Sequence, residues 1–204
     1  GLTLLPSQLA GRGDSMNALI ISGSRDLEGR TAQAMAALAE GLEAEGATCD
    51  TVFLPAVDLE RCRQCDDDGW GECRAEGSCV IEDDFARLVA AIRAADMVAF
   101  ATPVYYGDLS ESIRAFLDRL RRICTHENGE HGIVGTPAVG ICVAGGGGGG
   151  GPKCAVSLEG VLQTIGFDVA DMVPARRQNL DLKLDVLRVT GRWLAQVADE
   201  TDAQ

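Results

Sequence analysis

Short apolar runs alternate with amphipathic segments along most of the chain. Asn17-Ala18-Leu19-Ile20-Ile21 breaks into Ser22-Gly23-Ser24-Arg25, and the Ala- and Leu-rich segment Ala32 to Glu45 resumes with helical spacing. A buried strand that delivers a polar loop to a helix start is the predicted unit. The unit recurs. Ala47 to Leu54 reads as a second strand stopped by Pro55, and a polar, cysteine-bearing excursion follows from Ala56 to Cys79. Asp83 or Asp84 is placed to cap a helix that carries Phe85, Leu88, Val89 and Ile92 on one face. Asp96 to Ala101 is the next buried strand, leading into Thr102-Pro103-Val104-Tyr105-Tyr106-Gly107. A helix from about Ser110 to Ile123 presents Ile113, Phe116, Leu117 and Leu120, and Cys124 to Gly135 reads as loop. Pro137 to Ala144 is a fourth strand that discharges into the glycines Gly145 to Gly151. Ala155 to Ile165 is helical, Asp168 to Val173 a fifth strand, and Leu180 to Ala198 a closing amphipathic helix.

Strands that alternate with helices imply a doubly wound α/β fold, a parallel sheet covered on both faces, because each right-handed crossover lays a helix on the sheet. Ligands in such sheets bind beyond the C-terminal strand ends, where the winding direction switches. The unusual loops after strands one, three and four all emerge at that edge. With the five-stranded order 2-1-3-4-5, the loops after strands one and three flank the switch directly.

At 204 residues the chain suits one domain, assigned to residues 16–204 with an insert at 56–82 after the second strand. Residues 1–15 read as an expression leader or an N-terminal extension; Leu2-Thr3-Leu4-Leu5 is too short, and lacks the basic start, for a secretion signal. A cytoplasmic location is therefore expected. No run of apolar residues is long enough for a membrane span. The formal charge of −13 argues against a nucleic-acid surface, which must neutralise phosphates with Lys and Arg. Eight cysteines in a core-forming chain of this size read as reduced thiols, some of them candidate metal ligands, rather than as a disulfide framework.

The three loops carry the chemistry. The first offers the hydroxyls of Ser22, Ser24 and Thr31, a cation from Arg25 or Arg30, and backbone N–H groups at a helix start, which together favour an anion. It lacks the Gly-Lys-Ser/Thr of a triphosphate loop, so a monophosphate is expected; the alternative is a plain capped turn. In the second, Pro103 and Gly107 shape a turn, while Tyr105 and Tyr106 offer flat faces to an aromatic ligand or simply plug the sheet edge. In the third, consecutive glycines bring backbone amides within reach of a ligand, or form a featureless flexible segment. His126 and His131 read as solvated loop residues. No Ser/His/Asp arrangement with a nucleophile turn is present, so hydrolysis has no support.

Together, Ile20-Ile21-Ser22-Gly23-Ser24-Arg25 with Gly29-Arg30-Thr31, Ala101 to Gly107, and Gly145 to Gly151 resemble the flavodoxin-like NAD(P)H-dependent FMN reductase family, from Met16 to about Phe167. The resemblance implies that Ser22, Ser24, Arg25, Gly29, Arg30 and Thr31 hold the FMN phosphate. It places Pro103, Val104, Tyr105, Tyr106 and Gly107 against the isoalloxazine, and Gly145, Gly146, Gly147 and Gly148 at its pyrimidine edge. Cys62-x2-Cys65, with Cys73 and Cys79, resembles the cysteine insert of the iron-sulfur flavoproteins, a branch of that family. Four thiolates can hold a [4Fe-4S] centre, a structural zinc ion, or nothing. Asp66, Asp67 and Asp68 add negative charge there, which favours the divalent ion or no metal.

The family implies an oxidoreductase that takes electrons from NAD(P)H through FMN to an acceptor that the sequence does not name. The cofactor carries the redox chemistry, so no side chain is required as a catalyst. Two rivals stand beside it: an electron-transfer or binding module without turnover, whose zinc insert organises an oligomer contact, and a quinone or nitroaromatic reductase. The resemblance also implies a homodimer or homotetramer.

Overall fold

The computed structural model describes residues 15–124 and 131–202, from 198 onward by backbone alone. Strands β1 (Asn17–Ser22), β2 (Thr48–Phe53), β3 (Met97–Pro103), β4 (Pro137–Ala144) and β5 (Asp168–Arg176) form one sheet in the order β2-β1-β3-β4-β5. Every neighbouring pair is parallel, with Ala18 opposite both Cys49 and Met97. The helices are α1 (Arg30–Glu43), α2 (Glu72–Ala75), α3 (Phe85–Ala94), α4 (Glu111–Cys124), α5 (Gly151–Ile165) and α6 (Leu180–Asp202).

Period-two alternation divides the strand side chains between two cores. Ala18, Ile20, Met97, Ala99, Ala101, Val139 and Ile141 face α1 and α6 through Ala34, Leu38, Leu42, Leu187 and Leu194. Leu19, Ile21, Val98, Phe100 and Cys142 face α3, α4 and α5 through Leu88, Ile92, Phe116, Leu120 and Leu158. β1, β3 and β4 are buried on both faces, which is why they read as unbroken apolar runs. Small residues dominate where α1 meets α6: a Cβ on Gly41 would strike the Arg188 carbonyl, and one on Gly191 would lie 2.5 Å from the Leu38 carbonyl.

The element boundaries depart from the sequence expectations for identifiable reasons. α1 starts at Arg30 rather than Ala32 because extended Gly29 serves as its N-cap, so Arg30 and Thr31 belong to the first helical turn. α5 starts at Gly151 rather than Ala155, with Pro152 in the first turn, where its missing N–H leaves nothing unsatisfied. β5 runs on through Pro174 to Arg176, as an edge strand permits. α6 continues past Ala198 to Asp202. The insert contains a helical turn, α2, that carries Cys73 and has no apolar periodicity to announce it.

Candidate functional site

The loops after β1, β3 and β4 meet beyond the strand ends at the β1/β3 winding switch. A hydroxyl network ties the first two together. Ser110 Oγ and Ser112 Oγ, at the start of α4, donate to the Gly23 carbonyl at 3.2 and 2.9 Å. Ser110 N–H donates to Thr102 Oγ1 at 3.0 Å, and Thr102 and Ser110 are both buried. Gly23 admits no side chain here, since a Cβ would meet Ser110 Oγ. Thr102, Ser110 and Ser112 thus set the loop geometry without lining the cleft. The only signal for them in sequence is hydroxyl residues beside a strand end.

The second loop is a hairpin turn. Tyr105 N–H donates to the Asp108 carbonyl at 3.0 Å, and Asp108 N–H donates back to Tyr105 at 2.9 Å. Tyr106 and Gly107 occupy the left-handed region at φ 52° and 77° between them. Asp108 Oδ1 accepts from Leu109 N–H at 2.8 Å and from Arg114 Nη2 at 2.6 Å, which fixes the turn onto α4. The glycine run is a shaped loop rather than a featureless one. Gly146, Gly148 and Gly150 have φ of 41°, 78° and 84°, Gly148 N–H donates to the Gly145 carbonyl at 2.7 Å, and Gln178 Nε2 donates to the Gly147 carbonyl at 3.3 Å. Gly150 lies so close to Gly107 that a Cβ on it would stand 2.5 Å from the Gly107 Cα.

These loops enclose a cleft of about 510 Å³, lined by Ser24, Asp26, Gly29, Arg30, Thr31, Pro103, Val104, Tyr105, Val143 and Gly145 to Gly149. That volume suits a mid-sized cofactor. The N-terminus of α1 opens onto it without a side-chain cap, leaving first-turn N–H groups and the positive end of the peptide dipoles facing the cleft. Of the residues singled out in sequence, Ser24, Gly29, Arg30, Thr31, Pro103, Val104, Tyr105 and Gly145 to Gly148 meet here. Ser22, Arg25, Tyr106 and Gly107 do not line the cleft. Ser22 is fully buried and its hydroxyl accepts from Ser24 N–H at 3.1 Å; Arg25 is exposed, and Tyr106 stands wholly in solvent. Asp26, Val143 and Gly149 are additions that sequence reasoning missed. The Asp26 carboxylate accepts from Glu28 N–H at 3.1 Å and folds back over Gly29, where a Cβ would be 2.6 Å from Oδ2.

A second site lies in the insert. Cys62, Cys65, Cys73 and Cys79 line one small cavity of about 20 Å³ with Trp70, Arg119 and Arg122. Among the described residues, no group of three or more His, Cys, Asp or Glu converges tightly enough to hold a single metal ion. By chemistry the donor set nonetheless fits a thiolate-held group: four cysteines line one space, and Arg119 Nη2 donates to Cys79 Sγ at 3.3 Å. Burial raises the Cys73 thiol above its ordinary value, Arg122 opposes the rise, and the other three cysteines add to it. Asp66, Asp67 and Asp68 are exposed, and Asp68 pairs with Arg74 at 3.3 Å. Their charge is therefore only part of the local balance, since Arg119 and Arg122 of α4, which the sequence could not place, line the same cavity as the thiols.

Arg119 and Asp83 form an ion pair with both side chains 1% exposed. Burial works to raise the Asp83 pKa, but the hydrogen bonds from Arg119 and from the Glu60 and Phe85 N–H groups outweigh it and hold the carboxyl below its usual range. Asp83 was expected as a helix cap, and it does accept Phe85 N–H at 3.1 Å, while Asp84 accepts Asp58 N–H at 2.9 Å. Of the other cysteines, Cys142 and Cys154 are fully buried against each other, and their mutual hydrogen bond with burial keeps the Cys142 thiol protonated. Cys154 is thus a packing residue under α5. His131 is buried too, not solvated as expected, and its carbonyl accepts from Arg93 Nε at 2.8 Å. His126 lies outside the described residues.

The family model for NADPH-dependent FMN reductase matches residues 16–177. An iron-sulfur flavoprotein of Methanocaldococcus jannaschii is 28% identical over 131 residues, covering 64% of this chain and 65% of that protein. One from Methanosarcina thermophila is 33% identical over 99 residues, covering 48% of this chain and 49% of its own. The chain thus spans about half to two-thirds of the length of these relatives. Among solved structures, an NAD(P)H:quinone oxidoreductase from Methanothermobacter marburgensis superposes with a TM-score of 0.65 at 21% identity, covering 88% of this chain and 97% of that one. RosB with a bound flavin-phosphate intermediate superposes with a TM-score of 0.70 at 19% identity, covering 92% and 81%. At these identities the superpositions establish the flavodoxin-like fold. Among the described residues, no helix is long and apolar enough to cross a membrane.

Proposed function

We propose that this chain, which belongs to the NADPH-dependent FMN reductase family, binds FMN noncovalently in the three-loop cleft and passes electrons from NAD(P)H to an acceptor. The observation that carries the reading is the cleft itself, a ring-sized space at the winding switch with an uncapped helix N-terminus at one end. Ser24, Arg30, Thr31 and the first-turn N–H groups of α1 take the phosphate, where hydrogen bonds and dipole act on the same anion. Pro103, Val104 and Tyr105 form one wall against the ring system. The backbone N–H groups of Gly145 to Gly149 approach its other edge, with no Cβ to keep the ring away. When bound, FMN supplies the exchange between electron pairs and single electrons. The protein positions the ring and offers backbone dipoles to the charge that gathers on it, so no side chain acts as an acid or base.

In the insert, Cys62, Cys65, Cys73 and Cys79 hold an iron-sulfur cluster, a reading supported by the four-thiol cavity and by the names of the archaeal relatives. When present, the cluster would supply one-electron chemistry. The chain's own part is to bring four cysteines to the lining of one space and to attach an insert that is poor in apolar residues.

One preparation tests all of this. Protein purified without air is analysed for flavin, iron, sulfide and zinc, titrated with FMN by fluorescence quenching, and assayed for NADH and NADPH oxidation with ferricyanide as acceptor. Flavin bands, saturable FMN binding and turnover are expected. Colourless protein that does not take up FMN overturns the flavin reading, and zinc without iron overturns the cluster.

A further inference from the structure

Two arginines one helical turn apart on α4 hold the insert to the domain. Arg122 Nη1 donates to the Gly69 carbonyl at 2.7 Å, and its guanidinium lies 4.9 Å from the centre of the Trp70 ring. Arg119 is more deeply placed. Its Nη1 donates to the Glu60 carbonyl at 2.9 Å and to Asp83 Oδ2 at 2.5 Å, and its Nη2 donates to Asp83 Oδ1 at 2.9 Å and to Cys79 Sγ at 3.3 Å. Its guanidinium also rests 4.1 Å from the centre of the Phe85 ring. A clamp alone would need only the carbonyl and the carboxylate. One N–H is instead spent on a half-buried thiol that lines the four-cysteine cavity, from an arginine side chain that is itself 1% exposed.

Hydrogen bonds to ligand sulfurs and nearby positive charge stabilise the more negative, reduced state of an iron-sulfur centre. Three exposed aspartates oppose this, but water and salt screen them, whereas the Arg119 side chain is 1% exposed. We propose that Arg119 is a positioning residue that raises the reduction potential of a cluster held by Cys62, Cys65, Cys73 and Cys79, acting through its N–H donation to the Cys79 sulfur. The inference rests on the cluster reading above. Asp83 matters to the sign. It neutralises most of the Arg119 charge, so in the native protein the effect is carried by the hydrogen bond, and removing the Asp83 charge adds to it.

The test uses anaerobically purified full-length protein and measures the cluster midpoint potential by dye-mediated titration followed by electron paramagnetic resonance. Iron and sulfide are determined first. If both are absent from the unaltered protein, the cluster reading falls and takes this inference with it. With the cluster present, Arg119→Lys removes the forked donor and lowers the potential, whereas Asp83→Asn leaves the N–H on sulfur, frees the guanidinium charge and raises it. Opposite shifts are the expected result. A purely structural role loosens the site in both variants and moves them the same way, or not at all, and either outcome overturns the inference. Should the variants fail to fold, unaltered protein labelled with ¹⁵N-arginine decides the matter. Spin coupling between the reduced cluster and an arginine nitrogen is expected, and its absence overturns the proposal.

Discussion

Alanine at Gly150 and alanine at Gly149 should act in opposite directions, although both replace one glycine in an uninterrupted run. Gly150 sits at φ 84°, and a Cβ there would stand 2.5 Å from the Gly107 Cα and 3.1 Å from its nitrogen. The left-handed backbone costs an L-residue about 1–2 kcal/mol, and forcing a methyl into a packed contact costs about 1–3 kcal/mol. Restricting the unfolded chain returns only about 0.4–1 kcal/mol. The net for Gly150→Ala is a loss of about 3 kcal/mol, which for a domain of this size lowers Tm by roughly 6–12 °C. At Gly149 the backbone is ordinary and a Cβ meets nothing within 4 Å, so Gly149→Ala keeps the entropic gain and leaves Tm level or raises it by about 1–4 °C. Scanning calorimetry of the flavin-free proteins is the assay, because it separates loop geometry from cofactor contact. FMN titration follows, and Gly150→Ala should weaken binding by about tenfold or more, since the contact it breaks joins two walls of the cleft. Equal Tm values for the two variants would refute the reasoning and return the run to a featureless linker.

Other substitutions test the remaining parts. Ser24→Ala removes a cleft hydroxyl that accepts Asp26 N–H at 3.2 Å, and the loss of a bond to a charged phosphate should raise the FMN Kd by about 10- to 100-fold with little change in Tm. Gly41→Ala should lower Tm despite the better helix propensity of alanine, because its methyl meets the Arg188 carbonyl of α6, whereas Gly160→Ala on the open side of α5 should stabilise by about 0.5–1 kcal/mol. Burial pushes the Cys124 and Cys49 thiols up to about 12, with neighbouring carboxylates adding to the rise at Cys49. A raised folded pKa means that the folded state holds its protons longer, so this stability is whole below about pH 9 and declines from there toward pH 12. Denaturant midpoints between pH 8 and pH 11 check it: the double variant Cys49→Ala/Cys124→Ala should show a shallower alkaline decline, and an unchanged slope would contradict the assignment.

Much of the fold was legible because buried parallel strands and amphipathic helices leave signatures within a few residues of chain. The runs at Ala18–Ile21, Met97–Ala101 and Ala138–Ala144 needed no partner to be recognised, and the order β2-β1-β3-β4-β5 is the one expected with the flavodoxin-like resemblance. The three cleft loops were legible for the same reason, since each is the segment in which a strand stops. Asp26 and Val143 escaped notice because neither carries a motif, and sequence could not tell solvent-facing Tyr106 from cleft-lining Tyr105 because a turn residue's direction depends on its φ. The short helix bearing Cys73 has no apolar face, so its sequence gives no period to find.

By itself the order of residues determined what is local: which segments are strands, which are amphipathic helices, and where a polar loop meets a helix start. Contacts between distant segments were decided only in the folded molecule. Chain-identical glycines became different there, Gly150 pressed on Gly107 and Gly149 open to space, because a neighbour's distance is not written in the run itself. Arg119, one of several arginines on a polar-looking helix, became a buried partner of Asp83 and Cys79 from 36 and 40 residues away. A charge can be withdrawn from water only where counter-charges and acceptors already converge, and that convergence is a property of the tertiary structure.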